Sequence, residues 1–377
     1  MENTRDTSVV RTKSVGLLHS SLRVGALNLP NRVLMAPLTR MRATQPGDVP
    51  NDLMRDYYAQ RASAGLIISE GTQISPEGKG YMDTPGIYSS EQVAGWRRVT
   101  DAVHAIGGRI AAQLWHVGRV SHESLHDGAS PVSASALPFR NRTTLRDENG
   151  RPERVSCPTP RALRTDEIPR VVDDYRKATV NAREAGFDAV EVHGAHGYLL
   201  QQFLSPQSNR RDDAYGGSQT NRARLMLEVV DAVTGAWDAD HVGVRISPFG
   251  PFNGLEDPES AEMGLHVATE LAARGIAFLH LSEPDWADGT PPDQEFRAQL
   301  RSAFPGVIVG AGSYNVEKAE TLISAGLIDA AAFGRSFIAN PDLPDRLARG
   351  LPLNEPVLAT FYGGDARGYT DYPVHSA

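Results

Sequence analysis

Cysteine is almost absent from this 377-residue sequence, in which Cys157 is the only one. A single thiol excludes an internal disulfide and any metal site built from several thiolates, and it is typical of a reducing compartment. A lone cysteine can also be a nucleophile, but Cys157 lies in RVSCPTPRAL, a proline-punctuated loop without a histidine in the same segment. The sequence therefore predicts an unreactive Cys157.

Long hydrophobic runs and an excess of positive charge are missing as well. No stretch approaches the roughly 20 apolar residues of a membrane span, and the first residues, MENTRDTSVVRTKSVGLL, contain no secretory apolar core. The net charge of -8, from 38 Lys and Arg against 46 Asp and Glu, is opposite to that of a phosphate-backbone binder. We expect a cytoplasmic globular protein that binds small molecules, with neither a nucleic acid nor a membrane as partner.

Eight short runs rich in β-branched residues alternate with segments of helical period. In chain order they are NRVLMAPL, GLIISEGT, GRIAAQLWH, DAVEVHGA, HVGVRISP, AFLHLSEP, GVIVGAGS and AAAFGRS. Such alternation indicates βα units and a parallel sheet, and a doubly wound sheet would usually have fewer strands and a glycine-rich first turn. The sequence predicts an α/β fold in which residues 1–377 form a single (β/α)8 TIM barrel.

Helical periodicity and capping signals support the same arrangement. One apolar stripe repeats every three or four residues, at Ile168, Val171, Tyr175, Ala178 and Ala182. A capping box is predicted where Ser89 precedes Gln92 by three residues, and a second helix start where Asp257 is followed by Pro258 at the first helical position.

Two segments lie outside the βα pattern. LHSSLRVGALNLPN is typical of two short strands around Gly25, an N-terminal hairpin that would close the bottom of the barrel. The segment 117–165, after the third strand, is rich in Ser, Pro, Arg and Asn and has little periodicity. An insertion at this point lies on the catalytic face, so we expect it to act as a lid.

Unusually polar side chains occur at the ends of the β runs, where barrels carry their function. They are Thr39 and Arg40 after Pro37 and Leu38, then Gln113, Trp115 and His116, then His193, His196 and Tyr198, and finally Arg245. An arginine, a glutamine and a threonine together suit a flat heterocycle with carbonyl and imide edges. The alternative is a structural polar layer.

The seventh and eighth runs end in glycines at the corner where such barrels commonly bind phosphate. Gly310, Gly312 and Gly334 would let backbone N–H groups approach an anion, and Arg335 adds a charged donor. Glycine is common in any βα turn, but two such turns at the expected strands favour a phosphate site.

The pair of His193 and His196 has three interpretations. Together with Glu191 it could hold a metal ion, although Glu191 is equally well explained as polar filling of the barrel. A purely structural role is the second possibility. In the third, both imidazoles donate hydrogen bonds to one substrate oxygen and Tyr198 acts as proton donor.

Six segments resemble the signature segments of one family. They are NRVLMAPLTRMRA, AAQLWHVGR, EVHGAHGYLLQQFLSPQSNRRDDAYGGS, LHLSEPDW, AFGRSFIANPDLPDRL and TFYGGDARGYTDYP. On these segments the chain, from about Leu17 to Tyr372, resembles the old yellow enzyme family, FMN-dependent ene-reductases built on a (β/α)8 barrel. The third segment is the most specific.

The resemblance implies which residues hold a tightly bound, non-covalent FMN. Pro37, Leu38 and Thr39 would lie against the isoalloxazine, with the Thr39 hydroxyl bonded to the C4 carbonyl. Gly71 and Gln113 would line the ring, and Arg245 would lie near N1 and the C2 carbonyl. Four residues would hold the phosphate: Gly312, Ser313, Gly334 and Arg335.

It also implies the reaction, with NADPH or NADH as the reductant and no metal. His193 and His196 would bind the carbonyl or nitro oxygen of the substrate, the flavin N5 would deliver hydride to the β-carbon, and Tyr198 would protonate the α-carbon. Four aromatic residues would shape the substrate pocket: Tyr81, Trp115, Trp286 and Tyr362.

The branch within the family follows from two positions. Thr39, which stands where one subgroup has cysteine, indicates the classical branch of the family. His196, which is asparagine in some members, makes the chain similar to bacterial ester and maleimide reductases. The leading hypothesis is an ene-reductase for α,β-unsaturated carbonyls and maleimides, and also for nitro compounds and nitrate esters, working as a monomer or homodimer. A metal-assisted hydrolase and a flavin-binding sensor are the alternatives.

Overall fold

Eight parallel strands close into a barrel in the computed structural model, which describes residues 16–375. The strands are β1 (Val33–Met35), β2 (Ile67–Ile68), β3 (Ile110–Trp115), β4 (Ala189–His193), β5 (Val242–Ile246), β6 (Phe278–Ser282), β7 (Val307–Ala311) and β8 (Ala330–Phe333). Each strand pairs in parallel with the next, and β8 pairs with β1. All eight β runs are strands, which confirms the predicted (β/α)8 barrel.

A helix follows each strand on the outside of the barrel. The helices are α1 (Asp52–Ala59), α2 (Ser90–Ala105), α3 (Ile168–Glu184), α4 (Gln219–Ala236), α5 (Ser260–Ala273), α6 (Gln294–Ala303), α7 (Val316–Ser324) and α8 (Leu343–Arg349), with two shorter ones at Leu199–Leu204 and Arg335–Ala339. The predicted stripe of α3 is buried against the sheet. Across the described residues, none of the helices combines the length and apolarity that a bilayer span requires.

The two predicted helix starts have different outcomes. At α2 the Ser89 hydroxyl accepts from the backbone N–H of Gln92 at 3.2 Å, and the Gln92 side chain accepts from the Ser89 N–H at 3.1 Å, which confirms the capping box. The second prediction is wrong, because α5 begins at Ser260 and Pro258 lies in the preceding turn. The Asp257 carboxylate accepts from the Glu259 N–H at 2.9 Å, and so it stabilises that turn instead of the helix.

The predicted N-terminal hairpin consists of Leu22–Val24 and Leu27–Leu29, paired antiparallel around Gly25. Gly25 has a φ of +52°, and an added Cβ would lie 2.0 Å from the carbonyl oxygen of Asp240, so only glycine fits this turn. The hairpin packs Val24 and Leu29 onto inward-facing residues of the barrel strands. It thereby closes the N-terminal end of the barrel and leaves the C-terminal end for the site.

The segment 117–165 lies over that C-terminal end, as predicted for its position. It contains more regular secondary structure than its lack of periodicity predicts. A hairpin joins Arg142–Arg146 to Pro152–Ser156, and Val132–Ser133 pairs in parallel with Arg161–Ala162. The hairpin contacts the loop after β2, where the Met82 N–H donates to the Thr144 carbonyl at 2.9 Å. Its action as a lid stays a prediction.

Candidate active site

A cavity of about 430 Å³ opens at the C-terminal end of the barrel. Because parallel strands all end at this edge, residues far apart in sequence meet there. The structure brings the following predicted site residues to its wall: Pro37, Leu38, Thr39, Gln113, Trp115, His193, His196, Tyr198, Arg245, Trp286, Gly312, Ser313, Gly334, Arg335 and Tyr362.

Two predicted residues lie beside this cavity and not on its wall. Gly71 lies behind the indole of Trp115, where an added Cβ would be 2.4 Å from the ring. Tyr81 lines an adjoining cavity that also includes Tyr198, and its ring stacks on Trp115 at 5.6 Å between centroids. Gly71 therefore allows Trp115 to lie close to the strand end, and Trp115 in turn supports Tyr81.

A fully buried hydrogen-bond chain crosses the barrel beneath the cavity. The Gln113 amide donates to one oxygen of Glu191 at 2.7 Å, and His280 Nδ1 is 2.6 Å from the other oxygen. Both Glu191 oxygens are thus engaged inside the barrel, which supports the interpretation of Glu191 as polar filling. Among the residues that the structure describes, no group of three or more His, Cys, Asp or Glu is placed to hold a metal ion.

Arg245 is a buried cation on the cavity wall with almost no partner. Its Nη2 lies 3.4 Å from the Ser282 hydroxyl, and its Nε, also buried, has no hydrogen-bond partner among the described residues. Burial lowers the pKa of Arg245 to about 10, against the opposing effect of Glu191, so the group stays charged at neutral pH. An orphaned buried donor next to a cavity fits a ligand with an electronegative edge, such as the N1 and C2 carbonyl side of a flavin.

His193 and His196 each present one N–H to the cavity. His193 Nδ1 accepts from the Ala195 N–H at 3.2 Å, so the proton is on Nε2. His196 Nε2 lies 2.8 Å from the Ser282 hydroxyl, which also accepts from Arg245 at 3.4 Å; with the hydroxyl hydrogen directed to Nε2, the imidazole carries its proton on Nδ1.

Both imidazoles are neutral at physiological pH. Burial, together with the charge of Arg245, holds the pKa values of His193 and His196 well below their ordinary range. Their rings are edge to face with centroids 5.3 Å apart. His196 adopts a φ of +57°, and its backbone N–H donates to the Ser247 hydroxyl at 2.8 Å. This left-handed backbone, costly for a residue with a side chain, aims the second imidazole at the first.

Tyr198 follows the histidines immediately before the short helix Leu199–Leu204. Its ring lies edge-on to Trp115 and His193, with centroids at 4.9 Å and 5.1 Å. Burial raises the pKa of Tyr198, so the phenol is protonated at neutral pH. The site therefore combines two neutral N–H donors with one O–H donor on neighbouring parts of its wall.

The residues predicted to hold the phosphate lie together on the cavity wall, but the donors of one of them are already in use. Both donors of Ser313 are used within the protein, the backbone N–H by the Asp285 carboxylate at 2.8 Å and the hydroxyl by the Asp285 carbonyl at 3.0 Å. Arg335 lies at the cavity edge, 5.9 Å from the ring centroid of Trp286, and no ion pair of Arg335 occurs within residues 16–375. Gly312, Gly334 and Arg335 are therefore better placed than Ser313 to meet an anion.

Several residues of the site were missed by the sequence analysis. Ser282 ends strand β6, so the rule that found Arg245 could have found it. Phe252 stacks on Trp286 at 5.5 Å, and the Asn253 amide donates to the His196 carbonyl at 2.7 Å. Both belong to an irregular loop after β5, which has no periodic signal.

Burial raises the pKa of the Cys157 thiol to about 11, which supports the prediction that it is unreactive.

A barrel with this buried arginine and this histidine pair has the features of a flavin-dependent oxidoreductase. Residues 18–354 match the NADH:flavin oxidoreductase / NADH oxidase family. The putative 12-oxophytodienoate reductase 11 of Oryza sativa subsp. japonica is 44% identical over 368 residues, which are 96% of this chain and 98% of that protein.

Solved structures agree with the sequence comparisons. Morphinone reductase superposes with a TM-score of 0.93 at 51% identity, over 97% of this chain and 98% of the other, and it is also known in complex with tetrahydroNAD. The old yellow enzyme homologue from Zymomonas mobilis superposes with a TM-score of 0.90 at 42% identity, over 94% and 99%. This chain belongs to the old yellow enzyme family, which confirms the predicted resemblance.

Proposed function

We propose that this protein is an FMN-dependent ene-reductase that uses NADPH or NADH to reduce the activated C=C bond of α,β-unsaturated carbonyl compounds and maleimides. Nitro compounds and nitrate esters, which also offer an oxygen to the histidines, belong to the same proposal. The observation that carries it is the grouping of the neutral N–H donors of His193 and His196 with the protonated Tyr198 in one cavity.

The cavity wall supports FMN as the flavin. The Thr39 hydroxyl, the Gln113 amide and the Arg245 guanidinium would hold the ring system, and the chain of Gln113, Glu191 and His280 keeps the amide in one orientation. Gly312, Gly334 and Arg335 would hold the phosphate. Arg335 stands at the cavity edge without an acidic partner among the described residues, which suits a mononucleotide that ends there.

His193 and His196 would activate the substrate by donating two hydrogen bonds to its carbonyl oxygen. Negative charge grows on that oxygen as hydride reaches the β-carbon, so preorganised donors stabilise the transition state more than the bound substrate. Because both imidazoles are neutral, they would donate without adding a charge that would compete with Arg245.

Tyr198 would complete the reduction by protonating the α-carbon. The chemistry that FMN would supply when bound is hydride transfer to the β-carbon. Tyr198, protonated at neutral pH, would deliver its proton from the opposite side of the double bond, and the result is net trans addition of hydrogen.

The relatives support an enone substrate and a nicotinamide reductant. Relatives named 12-oxophytodienoate reductase and morphinone reductase are similar over almost the whole chain. We propose that Tyr81, Trp115, Trp286 and Tyr362 shape a pocket used in turn by the enone and the nicotinamide. Trp286 and Tyr362 are partly exposed at its mouth, as an access route requires.

Absorption spectroscopy and turnover test the proposal. The purified protein should show flavin bands and release FMN on heating, and 2-cyclohexenone should drive continuous NADPH or NADH consumption. Tyr198→Phe is expected to slow enone-dependent reoxidation by roughly 10²–10⁴-fold while flavin reduction continues. Tyr175→Phe is the matched control, since the Tyr175 hydroxyl is buried in α3 without a partner among the described residues.

Three outcomes would overturn parts of the proposal. A protein that neither contains nor takes up FMN would remove the cofactor assignment. Flavin that is reduced but never reoxidised by enones would favour the flavin-binding sensor, and unchanged turnover in Tyr198→Phe would remove the proton-donor role.

A further inference from the structure

A second cavity, of about 460 Å³, adjoins the active site on the side of the insertion. Tyr198 and Tyr362 lie on the walls of both cavities, whereas Tyr81, Thr144 and Arg154 line the second one alone. Leu358 and Tyr362, on its rim, are 72% and 56% exposed. The second cavity therefore connects the buried Tyr198 with solvent.

Tyr81 lies beside Tyr198 on the wall of that cavity. The two phenol oxygens are 3.1 Å apart, and only 9% of Tyr81 is exposed. The proton of Tyr198 must stay free for the substrate, so Tyr81 donates in this hydrogen bond and the Tyr198 oxygen accepts. Stacking on Trp115 holds the Tyr81 ring in place for that contact.

Arg154 adds a positive charge on the same side. Its side chain is exposed, and among residues 16–375 its guanidinium forms no ion pair. One hydrogen bond is found, from the guanidinium to the Thr144 hydroxyl at 3.4 Å. A cation without a carboxylate partner favours negative charge on nearby oxygens. This wall of the second cavity therefore lowers the cost of a transient phenolate.

We propose that Tyr81 relays protons from the second cavity to Tyr198 during substrate reduction, an inference that rests on the proposed ene-reductase function. As the O–H bond of Tyr198 breaks and its proton goes to the α-carbon, the Tyr81 proton moves to the Tyr198 oxygen. Tyr81 takes its replacement from water in the second cavity, so the proton added to the substrate comes from solvent overall. Tyr81 acts through Tyr198, as a positioning and relay residue.

The relay differs from simple packing in what the hydroxyl contributes. In Tyr81→Phe the ring can still stack on Trp115, but the bond to the developing Tyr198 phenolate is lost. A hydrogen bond to a charged group is worth enough to slow enone-dependent reoxidation roughly 10- to 100-fold. The reduction of the flavin by NADPH or NADH should slow much less than reoxidation, because that step does not use the Tyr198 proton.

A stopped-flow experiment on the FMN-loaded protein tests the relay. Anaerobically reduced wild type, Tyr81→Phe, Tyr198→Phe and the control Tyr175→Phe are mixed with 2-cyclohexenone in mixtures of H2O and D2O. With a relay, two protons move in one step, so the wild-type rate should depend on the deuterium fraction along a curve. The dependence should become linear in Tyr81→Phe, together with the slower reoxidation.

The outcomes separate the relay from the function on which it rests. An unchanged rate in Tyr81→Phe, or a slower rate with the wild-type curvature, would overturn the relay while a slow Tyr198→Phe still upholds the proton donor. Failure of the wild type to be reoxidised by any enone would overturn the proposed function itself.

Discussion

One hydrogen bond at each imidazole decides which of its two nitrogens carries the proton. A backbone N–H fixes His193, and the hydroxyl of Ser282, itself contacted by Arg245, fixes His196. The two donors can point to one oxygen only because both tautomers are set before the substrate binds. Ser282 therefore links the Arg245 cation to His196 on the cavity wall.

Removing both imidazoles should abolish enone binding. In a His193→Ala/His196→Ala variant, the residues proposed to hold the flavin ring, Thr39, Gln113 and Arg245, remain, so FMN should still bind. Titration with an enone is expected to leave the flavin absorption spectrum unperturbed, whereas it perturbs that of the wild type. A perturbation that survives in the double variant would contradict the oxygen-binding role.

Ser282→Ala should weaken enone binding without removing it. Loss of the hydroxyl frees His196 to place its proton on either nitrogen, so the dissociation constant for the enone is expected to rise about tenfold, equivalent to one neutral hydrogen bond. Spectral titration measures it. Ser282→Thr retains the hydroxyl and should restore much of the affinity, and equal affinity in Ser282→Ala would argue against this orientation of His196.

Residues at strand ends could be predicted from the sequence, but contacts between loops could not. Arg245 and Gln113 follow directly from the position of their strands. Ser313, after β7, donates its backbone N–H and its hydroxyl to Asp285, after β6. Neither of the two sequence segments contains a pattern that predicts this contact.

Among the elements, the N-terminal hairpin serves stability and not chemistry. Leu29 is 1% exposed where it fills the bottom of the barrel. Leu29→Ala should lower the free energy of unfolding by about 2–5 kcal/mol through the cavity that it creates, and leave enone turnover per folded molecule unchanged. Urea denaturation checks this. Leu22→Ala, at a half-buried position of the same hairpin, is the control and should cost less.

The capping box of α2 also contributes to stability, and this contribution can be tested. Ser89→Ala removes the acceptor for the Gln92 N–H and should cost about 1 kcal/mol in the free energy of unfolding. Ser90→Ala, one residue further on, removes an exposed hydroxyl outside the box and should change stability by less than about 0.5 kcal/mol. Equal effects of the two substitutions would contradict the capping role.

The elements also show why one helix start was predicted correctly and the other was not. Ser89 and Gln92 form a reciprocal pair, so the two signals reinforce each other. Asp257 and Pro258 suit a turn as well as a helix start, and the Asp257 carboxylate is used in a turn. The hairpin within 117–165 lacks the strict alternation of a half-buried strand, because Pro152–Ser156 is largely exposed.

For the whole molecule, closing the barrel buries titratable groups and so couples stability to pH. His193 and His196 have pKa values well below their ordinary range because they are buried, whereas in the unfolded chain the value is about 6.5. As the pH falls below that value, the unfolded chain takes up protons that the native protein does not, so the native protein loses stability.

Urea denaturation at pH 7.5 and pH 5.5 measures this loss. The wild type should lose up to about 3 kcal/mol more than a His193→Gln/His196→Gln variant, because each of the two histidines contributes about 1.4 kcal/mol over the one pH unit below 6.5. Glu70, whose pKa burial raises to about 7, acts in the opposite direction but is present in both proteins. An equal loss in the two proteins would mean that the histidines are not held neutral.

The number and order of the strands, and hence the closed barrel, could be predicted from the sequence because each βα unit carries its own periodic signal. The cytoplasmic location and the choice between monomer and homodimer stay predictions, since neither depends on the fold of one chain.

The position of hydrogen in the product tests the proposed hydride and proton transfer. The enzyme is supplied with nicotinamide deuterated at C4 and with 2-methyl-2-cyclohexenone in ordinary water, and the saturated ketone is analysed by NMR. We predict deuterium on the β-carbon and hydrogen from solvent on the α-carbon, added trans, because the hydride and the Tyr198 proton arrive from opposite faces. Deuterium on the α-carbon, cis addition, or unlabelled product would contradict the proposed transfer of hydride and proton from opposite faces.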